Sequence, residues 1–404
     1  MNLNILGDDG IVKQYPIVKE NFLNEVLKNR VGYIGTQSKE ENALNIFKAY
    51  FSDAKAILLD ETNKAIAKQL ITLNVPKFPS VQKQRNIFDE VEYALMYFTS
   101  GTTGHPIAAL KTKKNLELEV QDLTKLLKPY HIKKVVVTVP FIHLYGTILG
   151  LIYPLLNHLD IVIKEHFLPH DLLNAIDAHT MVVTTPLYIK ALNKLSEQKD
   201  LSSAVFISST APLGIQDVEL FKDKYAADIV QIFGSTETGG IAYKRNTEVL
   251  WKPFDAVEIS TNSDQELKVK SPFISSTLYE NGFKKTNGDI QTFDYVELED
   301  TGFKLIGRSS KIFKLAGKRY STIQIEHILE TVKGIEKALV FTELGKDGLR
   351  GEYLDITLES KEVYTVKEIK KLLQKELSNL KFVIELKIVE KIPTNQVGKK
   401  LRIN

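Results

Sequence analysis

The chain contains no cysteine. That excludes disulfides, thiolate nucleophiles and cysteine-bound metal sites together, and it is compatible with a reducing compartment. It also lacks a surplus of charge of either sign. Its 53 basic side chains face 50 acidic ones, so the net charge of +3 gives no reason to expect nucleic acid or an anionic membrane as partner. Met1 to Gly10 has neither the basic start nor the continuous apolar core of a signal peptide, and the expected location is cytoplasmic. There is no tandem repeat and no low-complexity linker. No Gly-Lys-Ser/Thr stands at the spacing of a conventional P-loop, which makes an ordinary P-loop NTPase a poor third among the functional readings.

Long apolar runs are equally scarce. Only Val135 to Leu156 lacks acidic, lysine and arginine side chains over a length that could cross a bilayer. Pro140, His143, Gly146, Gly150 and Pro154 interrupt it, so a strand at Val135–Val139, a turn and a buried helix from near Tyr145 are expected instead of a membrane span.

What remains is an ordinary globular composition, 43% hydrophobic and 25% charged, over 404 residues. This length suits two or three domains. Short apolar strands alternate with amphipathic helices from the N-terminus to about Tyr243. Examples are the helix expected at Lys39–Phe51 and the strands at Asp160–Ile163, Met181–Thr184, Ala204–Ile207 and Asp228–Phe233. Such alternation predicts an α/β body with a mostly parallel βαβ sheet, whose ligands lie outside the C-terminal ends of the strands. From about 244 to 307 short β runs with polar turns predict a small antiparallel β subdomain. The organisation expected is therefore a body over 1–307 and a small, mobile α+β domain over 308–404. Thr365 and Glu368 form a capping-box pattern in that second domain.

Three turns of the body, read as βα turns of one sheet, gather polar groups. Tyr97 to Pro106 reads YFTSGTTGHP. Thr99, Ser100, Thr102 and Thr103 supply hydroxyls, while Gly101 and Gly104 allow backbone N–H groups to approach an anion. A phosphate-handling loop and a plain polar turn both fit. Ser208–Leu213 carries Thr210, Ala211 and Pro212. In Gly234–Gly240, Thr236 and Glu237 offer a hydroxyl and a hard carboxylate suited to Mg²⁺ beside nucleotide phosphates, or a capped helix start. Asp289, after Asn287-Gly288, is either a ribose acceptor or part of a hairpin turn. Arg308 is a phosphate or ribose contact, or a structural cation. Pro393 to Arg402 places Lys399 in a glycine-containing loop, or in a solvated tail. His143 is a site residue or a satisfied core histidine.

Taken in order, Phe98-Thr-Ser-Gly-Thr-Thr-Gly-His-Pro106, Phe233-Gly-Ser-Thr-Glu237, Gly288-Asp289, Gly307-Arg308 with Lys314, Gly317 and Glu326, and the terminal Pro393–Lys399 form a specific set. With them the chain resembles the superfamily of AMP-forming adenylating enzymes: acyl- and aryl-CoA synthetases, peptide-synthetase adenylation domains and luciferases. The resemblance runs from about Tyr93 to the C-terminus. It implies that Thr99 to Gly104 hold the β- and γ-phosphates of ATP and that Thr236 and Glu237 position Mg²⁺ and the α-phosphate. Thr210, Ala211, Pro212, Phe233 and Gly234 would flank adenine, and Asp289 and Arg308 would hold the ribose. Lys399 would bridge a carboxylate substrate and the α-phosphate, and His143 would border an acyl pocket with Phe141, Leu144 and Tyr145. The small domain would then turn about Ser310, bringing Lys314 and Gly317 to the site for thioester formation.

The implied activity is ligation of a fatty or aromatic acid, through its adenylate, to CoA or to the phosphopantetheine of an acyl carrier protein. A monomer or a homodimer would be compatible with it. The alternative is a catalytically degenerate nucleotide- or acyl-binding module. Three departures from the pattern stand out: Ile107-Ala108 follow Pro106 where Lys-Gly is usual, Ser310 and Asn287 replace the usual residues at their positions, and only 97 or so residues precede the phosphate loop. Lys111 is the nearest candidate to replace the missing lysine.

Overall fold

The computed structural model describes residues 1–60, 63–80, 85–99, 107–308, 312–315, 318–343, 353–376, 383–394 and 400–401. Two compact units divide the chain. The first comprises Met1–Ile259 and Val269–Ile290, the second Ser260–Lys268 and Gln291–Asn404.

A nine-stranded sheet forms the centre of the first unit, in the order Lys252–Pro253, Gly239–Arg245, Asp228–Ser235, Val205–Ser208, Thr180–Thr184, Lys134–Val137, Asp160–Ile163, Asn2–Leu6 and Val12–Pro16. The run from Asp228–Ser235 to Asn2–Leu6 is parallel throughout. Val205–Ser208 and Thr180–Thr184 are buried at every position, as expected for parallel strands covered on both faces. The helices Pro186–Asn193 and Ile215–Tyr225 supply part of that cover through Ile189, Leu192, Val218 and Phe221. Phe206 meets Phe221 edge-to-face, with centroids 4.8 Å apart. Each such aromatic contributes about 1.5–3 kcal/mol by leaving water.

The second sheet of this unit has six strands, ordered Phe283–Lys285, Thr277–Tyr279, Ile107–Lys111, Leu95–Thr99, Lys55–Leu58 and Val31–Ile34. Two expectations change here. The residues after Thr99 and after Ser235 lead into antiparallel strands, Ile107–Lys111 and Gly239–Arg245, so both turns are hairpin connections and not βα turns. They also belong to different sheets. Only Ser208–Leu213 leads from a strand to a helix, Ile215–Tyr225. The physical reason is local: the strand-forming runs IAALK and GGIAYKR begin directly after the polar turns, leaving no length for a helix.

The predicted strand, turn and helix are present between Lys134 and Leu156. Lys134–Val137 is followed by a helical run from Leu144 to Leu156 that widens to π geometry at Ile148–Ile152. Among the described residues, no helix is long and apolar enough to cross a membrane.

In the second unit, Ile335–Glu343 pairs antiparallel with Tyr353–Ser360, which pairs parallel with Ile384–Val389. The helix Val366–Glu376 connects the parallel pair. Its first turn is closed as the sequence predicts: Thr365 N–H donates to Glu368 Oε2 at 2.8 Å and Glu368 N–H to Thr365 Oγ1 at 3.3 Å. Ile325, Leu329, Ile356, Leu358, Ile369 and Leu373 form the core. The β-rich stretch is shared out: Asp289–Glu299 and Gly302–Arg308 lie in a four-stranded sheet with Glu258–Thr261 and Glu266–Lys270, whereas Thr277–Tyr279 and Phe283–Lys285 extend the six-stranded one.

Candidate functional site

Val137, Thr184 and Ser208 end their parallel strands at neighbouring register positions, and the next strand continues past Gln231, the partner of Ser208, to Ser235. Ligands of open α/β sheets bind at this edge. Thr210, just past one of the ends, is exposed and holds φ +78. A β-branched residue in that region is strained, and such strain concentrates at sites that grip ligands. Ser209 Oγ donates to Ile232 O at 2.8 Å, tying this turn to the next strand, the one bearing Phe233 and Gly234. Phe233 in turn packs against Trp251, centroids 5.5 Å apart.

The hairpin from Gly234 to Gly240 is built with little tolerance. A Cβ on Gly234 would lie 2.3 Å from Gly239 O, and Gly239 adopts φ +77. Inside the turn, Ser235 N–H donates to Thr238 Oγ1 at 3.1 Å and Thr238 N–H to Ser235 Oγ at 3.2 Å. Thr236 and Glu237 are left at the tip, half-buried, and among the described residues neither side chain takes part in a hydrogen bond. A hydroxyl and a carboxylate on a fixed backbone are donors that fit Mg²⁺.

Behind the tip the backbone is held from two sides. The fully buried Lys111 donates through Nζ to Glu237 O at 3.1 Å and to Phe273 O at 2.6 Å. Buried Glu119 accepts Gly240 N–H at 2.8 Å through Oε1, while its Oε2 has no partner among the described residues. Burial pulls the Lys111 pKa down to about 8 against the opposing charges of Glu119 and Glu237. Burial likewise pushes the Glu119 carboxyl above its usual range, against Lys111 and the Gly240 N–H.

The Glu237 carbonyl also accepts Ser275 N–H at 3.1 Å. From there a chain of bonds reaches the turn before Asp289: Thr286 Oγ1 donates to Ser275 O at 2.6 Å, and Ser271 N–H to Gly288 O at 3.1 Å. Gly288 has φ +77, so the tight turn depends on glycine. Asp289, half-buried, begins the next strand.

His143 precedes the π-bulged helix. Burial lowers its pKa, with Asp60 opposing, which favours the neutral imidazole. Tyr145 Oη lies 2.9 Å from Thr184 O and 2.7 Å from Ile207 O and shares its one hydroxyl proton between them, tying the helix to two neighbouring strands near their ends. Phe141 is fully buried under Gly150, where a Cβ would lie 2.8 Å from its ring. π turns recur at functional sites.

Thr210, Ala211, Pro212, Phe233, Gly234, Thr236, Glu237, Asp289 and His143 all lie in the first unit. Thr99 ends its strand; Arg308 and Lys314 lie on strands of the second unit. Ser100, Gly101, Thr102, Thr103, Gly104, Ser310, Gly317 and Lys399 lie outside the described residues. Sequence spacing missed Glu119 and the role of Lys111. A lone lysine closing an apolar strand, IAALK, is the signal that was there to read.

A parallel sheet whose strand ends carry glycine-bounded hydroxyl and carboxylate turns is the framework of a nucleotide-handling enzyme. The model of the AMP-binding enzyme family matches residues 31–272, and the chain belongs to that family. It is 23% identical over 359 residues to the peroxisomal OPC-8:0-CoA ligase 1 of Arabidopsis thaliana, a match covering 81% of this chain and 66% of that protein. The fold is also that of the o-succinylbenzoate CoA synthetase of Bacillus subtilis. Its complex with the acyl-adenylate intermediate superposes with a TM-score of 0.81 at 17% identity, covering 98% of this chain and 94% of the other. Its complex with ATP and magnesium gives 0.76 at 19% identity, covering 93% and 89%.

Proposed function

We propose that the chain is an AMP-forming acid–thiol ligase. A carboxylate oxygen of a fatty or aromatic acid attacks the α-phosphorus of ATP in line, forming the acyl-adenylate and releasing pyrophosphate. A thiol then attacks the acyl carbonyl, forming the thioester and releasing AMP. CoA is the first choice of thiol, because the relatives are named as CoA ligases; a carrier-protein phosphopantetheine is the second.

The single observation carrying this reading is the open Thr236–Glu237 tip on a rigidly held hairpin at the strand ends. Phosphoryl transfer needs positioning and charge more than covalent catalysis. Mg²⁺, when bound, would neutralise phosphate charge, and Thr236 and Glu237 would hold it. Thr210 to Pro212, Phe233 and Gly234 would orient adenine, and Asp289 and Arg308 the ribose. The loop from Thr99 to Gly104 would bind the β- and γ-phosphates. Lys399 would offset charge between the carboxylate and the α-phosphate, and His143 would border the acid. For the second step the proposed boundary is at 307–308, with Ser310 as the hinge that brings Lys314 and Gly317 to the site.

Pyrophosphate release should be assayed over a panel of fatty and aryl acids, with CoA and then with a phosphopantetheinylated carrier protein. Release dependent on one acid class, abolished by Lys399→Ala, supports the proposal. ATP binding by calorimetry with background turnover for every acid would make the chain a binding module instead.

A further inference from the structure

Lys111 stands on the strand that returns from the phosphate-loop segment, where a replacement for the missing lysine was expected. Its ammonium is not available for that role. It is fully buried and donates to two carbonyls, Glu237 O and Phe273 O. Burying an ammonium costs several kcal/mol before compensation. A methionine would fill the same length without that cost, so the charge must be accounted for by what it holds.

What it holds is the back of one turn. Lys111 binds the carbonyl of Glu237, and Glu119 binds the N–H of Gly240, three residues on. The two charges thus bracket the segment from the metal-facing tip to its glycine exit. Gly239 and Gly240 leave no slack, since Cβ atoms there would lie 2.7 Å from Glu119 Oε2 and 2.9 Å from the Phe254 ring. Lys111 also joins this turn to Phe273, in the segment whose Ser271 and Ser275 are bonded to the residues before Asp289. One ammonium therefore links the strand after the phosphate loop, the Thr236–Glu237 tip and the approach to Asp289.

We infer that buried Lys111 and Glu119, bonded to the Glu237 carbonyl and the Gly240 N–H respectively, position the Thr236–Glu237 tip for acid activation from behind, without touching substrate. The inference rests on the proposed reading of Thr236 and Glu237 as the groups facing metal and phosphate. Groups that orient metal-facing residues from behind typically change affinity or activity about 10- to 100-fold when removed.

The test uses the full-length chain and its Lys111→Met, Lys111→Arg and Glu119→Gln variants, measuring thermal melting and pyrophosphate formation against Mg²⁺ concentration. Thioester formation is measured separately, from synthetic acyl-adenylate and CoA. Lys111→Met is expected to raise the half-saturating Mg²⁺ concentration about tenfold or more, while thioester formation from the adenylate stays within about twofold. Lys111→Arg should recover part of the loss. If Lys111→Met does not fold, Glu119→Gln decides, because it keeps the acceptor for Gly240 N–H and removes the charge. An unshifted Mg²⁺ dependence in the folded variants, or parallel loss of both half-reactions, overturns the inference while the ligase reading stands. A wild-type chain that releases no pyrophosphate with any acid overturns both.

Discussion

Lys400 Nζ donates to Glu326 Oε2 at 2.9 Å, and it completes its coordination on Glu330 Oε1 and on Ala338 O at 2.6 Å. Glu326 and Glu330 lie one helical turn apart and also accept the N–H groups of Val340 and Ala338, both at 3.0 Å. Thr394 and Lys400 pair as an isolated bridge, and Leu401 N–H donates to Pro393 O at 2.8 Å. The chain is thereby fastened on both sides of the segment containing Lys399. Burial opposes the charge on Lys400, but the two glutamates outweigh it and hold the pKa above the ordinary lysine value. Lys400→Met leaves two largely buried carboxylates unpaired and is expected to destabilise the second unit by about 1–3 kcal/mol. Denaturant unfolding followed by hydrogen exchange of the segment 322–343 measures it; a loss below about 0.5 kcal/mol would show the clamp to be a surface-like pair.

Glu165 closes the N-terminus of the helix Lys39–Phe51. Ser38 Oγ donates to its Oε1 at 2.7 Å and Lys39 N–H to its Oε2 at 2.8 Å. A carboxylate there satisfies unpaired N–H groups and meets the positive end of the helix dipole. Glu165→Ala should cost about 1–2 kcal/mol of unfolding free energy in chemical denaturation, and Glu165→Gln less than that.

Lys39 gives stability an alkaline dependence. Its ammonium donates to Thr138 O at 2.9 Å and Lys164 O at 3.2 Å, and burial pulls its pKa down to about 8 from the ordinary 10.5 despite the opposing charge of Glu165. Because the folded pKa is the lower one, the unfolded chain binds more protons between these values. This group's contribution therefore rises with pH from about 8 to 10.5 and is lost as pH falls back through 8. Comparing the wild-type and Lys39→Met melting temperatures across that window should show the slope shrinking in the variant.

Gly146 sits where the π-bulged helix passes the turn before it, and a Cβ would lie 2.1 Å from Pro140 O. Backbone cannot yield as a flexible side chain does. Gly146→Ala is expected to destabilise the first unit by about 1–3 kcal/mol and, on the proposed function, to raise the KM for the acid more than that for ATP. Equal effects on both substrates would argue against a role for His143 and its neighbours in bordering the acid.

Glu237 carries the most direct prediction. Glu237→Gln retains size and removes the hard anionic donor, so pyrophosphate formation should fall about 10²-fold or more, while melting should shift only by the loss of the Glu237 charge acting on buried Lys111. Steady-state assays with saturating Mg²⁺ check it.

Much of this arrangement was legible in the residues. Lys39–Phe51, Asp160–Ile163 and Glu266–Lys270 fall where periodicity places them, because each is governed by its own apolar pattern. The capping box at Thr365 and Glu368 is as local and was as readable. Asn2–Leu6 was not: its partner Asp160–Ile163 lies far along the chain, and nothing within five residues signals which sheet it joins. Ile107–Lys111 and Gly239–Arg245 were hidden by the strong turn signals before them. Lys111 and Glu119 escaped for a different reason. A charge reads as a surface residue until the fold shows what surrounds it.

The pairing of Asn2–Leu6 with Asp160–Ile163 matters during biosynthesis. Asn2 N–H donates to Asp160 Oδ1 at 2.7 Å across a separation of 158 residues. Until Asp160–Ile163 is made, the segments Asn2–Leu6 and Val12–Pro16 lack the strand that shields one edge of their pair, and Ile11 and Val12 are exposed even in the finished fold. Contacts so distant in sequence form slowly. The nascent chain is thus most open to edge-to-edge association, or to capture by a chaperone, before Asp160–Ile163 leaves the ribosome.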